Sequence, residues 1–434
     1  MSLTKASYSV INGAPINVLD YGAVGDGSAD DSDAIQAAIN AAAVRNQLLY
    51  FPTNSYRVTK TLTMYSGTTI TGDQSWAYAA SYGLTYASEI RFEPTTPDTD
   101  LFIIGDNPNI PSPPAFYSKI SICNLILLGN GDTNSRFALD LNRAIYCNFE
   151  NLTITEFQYP VRCTTTIKNC FTNLLLTATR AAARYSGLAT TDVWSNCTFF
   201  GGPIGVQTVG PTVGIRFNNC LFEQLENYGA DIVKDTESMS FINCYSEDVP
   251  YTAGSTNCMF RVGLDGAALS TENQLTVIGG NYQGRNAGVV GSWMDVDYCS
   301  GILVSAVNVS RYTNVINTTA NTVDNSIFVS GINGLGYTNY SSGAADKISG
   351  LSPATVLNSG SFRYNLKVAA VVASSSITSA IYTNNGVEWA AGAYSPEGTF
   401  AAPVGSLWSN KAGGAGTSFY VKESGTGNTG WVAK

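Results

Sequence analysis

Histidine is absent from all 434 residues. That excludes a Ser-His-Asp triad and any histidine general base. Charge is scarce as well, at 13% of residues, and its balance is acidic, with a formal net charge of −9 and a pI near 4.6. A nucleic-acid binder needs a basic footprint, so that class is excluded too. No run approaches the ~18 apolar residues of a membrane span, and Met1-Ser-Leu-Thr-Lys5 lacks the apolar stretch of a secretion signal. The expectation is a chain folded in a reducing cytoplasm, with no membrane insertion. The nine cysteines include no Cys-x-x-Cys pair, so neither a disulfide framework nor a metal site is indicated. The turn at Gly25–Gly27 lacks the Gly-Lys-Ser/Thr of a phosphate-binding loop. Helical heptads are missing, whereas 42 glycines and 44% hydrophobic residues allow β structure around a large core.

What is present is a repeat. Phe149-Glu-Asn-Leu152, Phe171-Thr-Asn-Leu174, Trp194-Ser-Asn-Cys197, Phe217-Asn-Asn-Cys220 and Phe241-Ile-Asn-Cys244 start 22, 23, 23 and 24 residues apart. Ile122-Cys-Asn-Leu125 precedes them, and weaker echoes follow at Val277, Leu303 and Phe328. A period in the twenties built on short strands is the signature of a solenoid of stacked β-coils, in which neighbours share one continuous core. Cys170, Cys197, Cys220 and Cys244, each directly after an Asn, are expected to form a buried column of reduced thiols. Thr68–Gly72 reads as an early strand. The 36-residue step from Phe241 to Val277 predicts an inserted loop around Tyr251–Gly263.

Ahead of the repeat, Ile16-Asn-Val-Leu-Asp-Tyr-Gly-Ala-Val-Gly-Asp-Gly27 reads as a strand and a Gly-rich turn. Asp30, Asp31 and Asp33 suit a helix N-terminus. Ile35, Ala38, Ile39 and Ala42 follow at i, i+3, i+4 and i+7, an apolar stripe able to plug the open end of a solenoid. The stretch from Val18 to Ala43 resembles the opening of the pectate-lyase-like family of right-handed parallel β-helices. The run Ala402-Pro-Val-Gly-Ser-Leu-Trp408, and the segment Gly413 to Trp431, resemble the ends of phage tail fibres and tailspikes. Together the resemblances imply a homotrimer on a virion tail that binds and often cuts host surface polysaccharide. The expected organisation is all-β: a virion-attachment peptide over 1–16 docking other phage tail proteins, and a cap with its helix over 17–59. A right-handed parallel β-helix follows over 60–343, and a β-rich trimerisation region over 344–434. Aromatic residues at Trp76, Tyr78, Tyr82 and Tyr86, and the Pro108–Pro114 run, suggest surface loops.

Counting six residues past the aromatics at 217 and 241 reaches Glu223 and Glu247, with Asp248 beside the second and Glu226 three beyond the first. Coils stack ~4.8 Å apart, so two glutamates in register crowd like charges, an arrangement that costs stability and signals a mobile turn or a function. Paired carboxylates are the machinery of glycoside hydrolysis, retaining or inverting according to their separation. Arg180, Gln283, Arg285 and Arg311, with Tyr228, Tyr282 and Tyr312, are the candidate saccharide-binding residues, since aromatics stack on sugar rings and Arg forks grip carboxylates. The alternatives are a non-catalytic receptor-binding spike and a polysaccharide lyase with Arg285 or Arg311 as base. Lyases of the resembling family often use calcium; no cofactor is otherwise expected.

Overall fold

The computed structural model describes residues 13–73, 87–107, 114–131, 133–233, 235–251, 257–263, 274–285, 290–297, 299, 301–318, 322, 327–335, 348–349, 381–384 and 387–434. The chain divides into two compact units, Met1–Asn365 and Leu366–Lys434. In the first unit the aromatic repeat is a stacking register. Ile122, Phe149, Phe171, Trp194, Phe217, Phe241 and Val277 pair each with the next on parallel strands, and every one is fully buried. The line continues backward through Ile70 and Leu49 to Ile16. Ring centroids lie 5.2 Å apart for Phe149–Phe171, 3.9 Å for Phe171–Trp194 and 4.7 Å for Phe217–Phe241. The fold is a right-handed parallel β-helix, with one α-helix among the described residues.

The Asn of the repeat has a backbone cause. Asn151, Asn173, Asn196, Asn219 and Asn243 have φ between 51° and 55°, the left-handed conformation that Asn tolerates better than other non-glycine residues. From Asn173 on it turns the chain between two short strands of the coil, such as Val193–Ser195 and Thr198–Phe200, whereas Asn151 lies within the single strand Asn148–Phe157. The side chains add a ladder, Asn173 Nδ2 donating to Asn151 Oδ1 at 2.7 Å and Asn151 Nδ2 to Asn124 Oδ1 at 3.1 Å. Both strands belong to a 21-stranded sheet; the third strand of the coil, here Ile204–Thr208, belongs to a 10-stranded sheet.

Three expectations shift by a residue or a role. Val277 pairs with Val304 and Val304 with Val329, so these fill the core line; Leu303 and Phe328 pair on the outer face, where Phe328 is 47% exposed. A one-residue slip reverses a strand residue's face because side chains alternate. Cys170 falls on the outer face for the same reason: it precedes Phe171 where Cys197 follows Trp194 by three. Cys197, Cys220 and Cys244 are buried, Cys170 is exposed, and Leu174 holds the equivalent core position. Phe260–Val262, expected within an inserted loop, is a strand of the 10-stranded sheet.

The helix Ser32–Arg45 buries Ile35, Ala38, Ile39 and Ala42. Asp31 stands at its N-cap without a side-chain capping bond. Its carboxylate instead accepts from Val24 N at 2.6 Å and Gly25 N at 3.1 Å, pinning the Gly-rich turn. Asp30 accepts from Ser32 N at 3.1 Å, and Asp33 pairs with Lys60 at 2.8 Å. The second unit holds a five-stranded sheet whose inner face packs Ala390, Trp408, Tyr420 and Trp431. Trp76, Tyr78, Tyr82, Tyr86, Pro108–Pro113, Leu366–Val372 and the first twelve residues lie outside the described residues. Among the described residues no helix is long and apolar enough to cross a membrane.

Candidate functional site

The strands Leu221–Glu223 and Tyr245–Glu247 sit on successive coils and pair in parallel, with Glu223 directly opposite Glu247. The inner residues of this pair of strands are Phe222 and Ser246, so alternation turns both glutamates outward. Both are half-buried. Burial first, then the charges of Glu247 and Asp248, push the Glu223 carboxyl above its ordinary value. Asp248 follows Glu247 at φ 54°, a left-handed turn position shared with Gln224 one coil earlier and with Arg311 further along.

Tyr245, two residues before Glu247 on the same face, donates its hydroxyl to Glu247 Oε2 at 2.9 Å. Burial raises the Tyr245 phenol most, followed by that hydrogen bond and the charges of Glu247 and Glu223; the charge of Arg311 acts in the opposite direction. The pairing Tyr245–Asn281 continued along the strand sets Gln283 beside Glu247, and Gln283 in turn pairs with Ser310. On the other side Phe200 pairs with Glu223 and is half-buried on the same face. The outer row therefore reads Phe200, Glu223, Glu247, Gln283, Ser310. Tyr245 and Phe200 were not among the residues picked out by counting. Their signal was present in the sequence: each lies on the outward parity of a strand that carries, or pairs with, a glutamate.

The other expected residues divide. Glu226 is exposed in the turn after Glu223, and its amide donates to Gly202 O at 2.8 Å. Arg180 is exposed in the turn two coils earlier, with the Gly201–Pro203 turn between them. Arg285 lies over the Tyr251 ring, 5.3 Å from its centroid. Tyr282 and Tyr312 are corrections. Both are fully buried, because each falls on the inward parity of its strand, and neither ring can stack on a sugar from solvent. Tyr228 begins a strand of the 10-stranded sheet with Arg261 over its ring at 4.3 Å and Asn257 accepting from its hydroxyl at 3.1 Å. One face of that ring is already covered. Among the described residues no group of three or more Asp, Glu, Cys or His side chains converges as a metal site.

A family model described as rhamnogalacturonase A/epimerase, pectate lyase-like, matches residues 15–254. The chain belongs to that family. The matched span of this pectate-lyase-like chain contains Glu223, Glu247 and Asp248 and ends before Gln283 and Arg311. A glucan 1,3-beta-glucosidase of Cochliobolus carbonum is 36% identical over 73 residues, a match spanning 17% of this chain and 9% of that enzyme. Among solved structures, the DFA-IIIase from Arthrobacter chlorophenolicus A6 without its lid superposes with a TM-score of 0.57 at 10% identity, covering 81% of this chain and 99% of that one. PfbA, a surface adhesin of Streptococcus pneumoniae, gives 0.51 at 14% identity over 75% and 90% of the two chains. At such identities the likeness is one of fold.

Proposed function

We propose that this chain is a phage tailspike that binds a host surface polysaccharide (capsule, exopolysaccharide or O-antigen) and hydrolyses it with the Glu223–Glu247 pair. The observation that carries the reading is the in-register pairing of these two half-buried glutamates, with Tyr245 hydrogen-bonded to the second. Two carboxyls this close resist ionising together, so one holds its proton at higher pH than a lone glutamate does. Glu223, whose carboxyl is raised, serves as the acid that protonates the glycosidic oxygen as the C–O bond breaks. Glu247 acts on water as a base or on the anomeric carbon as a nucleophile. Phe200 and Gln283, flanking the glutamate pair in the row, offer a stacking surface and an amide to the sugars on either side. Family membership supports action on polysaccharide, and the tail-like C-terminal sequence supports the setting on a virion.

The same proposal makes the chain a homotrimer on the virion tail, attached to other tail proteins through the peptide 1–16 and acting at the host cell surface. Trp389, Leu407, Val421 and Val432 pair in one line across the outer face of the C-terminal sheet, with Trp389 57% and Val432 39% exposed. Such a face favours burial against other subunits. Sedimentation showing a stable monomer at micromolar concentration counts against the trimer.

The deciding experiment incubates the protein with purified bacterial surface polysaccharides and sizes the products. Shortened chains with new reducing ends, and no new absorbance near ~232 nm, are expected. An unsaturated end absorbing there marks β-elimination and a lyase instead. Binding without shortening marks an adhesion spike.

A further inference from the structure

The outer face of the 10-stranded sheet carries a second register line, and it is charged. Asp140, Arg162, Arg184, Gln207, Asp231 and Arg261 pair each with the next on successive coils. Two of the three arginines follow one rule, reaching back a single coil to the carboxylate in register. Arg162 donates Nε and Nη2 to Asp140 at 2.7 and 2.6 Å, and Arg261 donates the same two atoms to Asp231 at 2.6 and 2.6 Å. These are two-point forks on largely buried carboxylates, the strong form of the contact.

Arg184 breaks the rule. The residue one coil back is Arg162, already engaged, and the residue one coil on is Gln207, whose Nε2 donates to Asp231 at 3.3 Å. Among the described residues no carboxylate stands within ion-pair distance of Arg184. Two cations in register on adjacent strands repel, yet the Arg184 guanidinium is held in place. It lies over the Tyr159 ring, 4.8 Å from the centroid, and Nη1 donates to the Tyr159 hydroxyl at 2.8 Å. Its Nε and Nη2, the atoms that the other two arginines spend on an aspartate, make no hydrogen bond among the described residues.

We propose that Arg184, backed by Arg162 and braced by Tyr159, is a subsite for a carboxylate carried on a glycan. The ligand's carboxylate accepts from Nε and Nη2 of Arg184, the two atoms that Arg162 and Arg261 give to their aspartates. It relieves the repulsion between the two guanidinium groups. The proposal takes from the preceding section only that the ligand is a glycan; it does not need the Glu223–Glu247 chemistry, which sits on the other sheet.

The test is calorimetric titration of the full chain with dextran oligosaccharides of one length, neutral or carboxymethylated. Wild type is expected to bind the carboxymethylated probe at least tenfold more tightly than the neutral one, with the difference shrinking as sodium chloride is raised. Arg184→Gln is expected to abolish that preference. Arg184→Lys, which keeps the charge and loses the fork, is expected to restore only part of it and covers the case in which the Gln variant fails to fold. Glu223→Gln is expected to keep the preference whole, so loss of cleavage and loss of carboxylate binding are read separately. No preference in wild type, or an undiminished preference in Arg184→Gln, overturns the assignment.

Discussion

Replacing Glu223 with Gln keeps the shape of the outer row and removes one charge from a pair that the register forces together. Paired strands lie ~4.8 Å apart, so two full charges at about 5 Å would repel by about 3 kcal/mol at an effective dielectric of about 20. Both side chains are only half-buried, and solvent screening brings that down to about 1 kcal/mol. The sign follows from the raised Glu223 carboxyl. Its contribution to stability is intact below the ordinary glutamate range and is lost as pH rises through the higher folded value. The gain from Glu223→Gln should therefore appear at pH 7 to 8 as a small rise in melting temperature and vanish near pH 4. Activity should move the opposite way, falling by roughly 10² to 10⁴ at every pH, the usual worth of a positioned acid. Thermal melts at the two pH values, beside a polysaccharide-sizing assay, read both. Wild-type cleavage by Glu223→Gln, or a variant that melts below wild type at neutral pH, would refute the reasoning.

Tyr245→Phe removes the hydroxyl that Glu247 accepts; turnover should fall about tenfold or more with glycan affinity unchanged, since hydrogen bonds to charged groups contribute about 1.5–3 kcal/mol, and an equal loss in affinity would argue for a merely structural role. Asp192 is buried, and burial outweighs the hydrogen bonds it accepts from Thr166 and Asn169, pushing its carboxyl from 3.8 up to about 6. That shift corresponds to roughly 3 kcal/mol of stability present below pH 4 and lost as pH rises through the folded value. Asp192→Asn should flatten the wild-type decline in stability between pH 4 and 6, as denaturant titrations would show; an unchanged slope contradicts the assignment. Native protein should react with a thiol reagent at Cys170, whereas Cys197, Cys220 and Cys244 should label only on unfolding, and rapid native labelling of any of those three would displace them from the core.

The sequence alone determined the architecture, because a parallel coil must repeat its inward residues at its own length. The aromatic-x-Asn period therefore reported both the core line and the left-handed corner beside it. It also determined that Glu223 and Glu247 meet, since equal offsets from two register residues stay equal wherever the coils carry no insertion between them. Only the tertiary structure decided which face the neighbouring positions take. Leu303 and Phe328 each sit one step from the core position, and Cys170 one step before the core residue Phe171; in a strand one step exchanges core for solvent. Tyr282 and Tyr312 were lost to the interior in the same way, while Tyr245 and Phe200 were gained at the surface. The charged row from Asp140 to Arg261 keeps the same coil period, with 22 residues from Asp140 to Arg162. It was hidden because its members mix Asp, Arg and Gln, so no single residue type recurs at the coil period. Pairing across coils, not composition along the chain, is what sets Arg184 beside a second cation with its fork unspent.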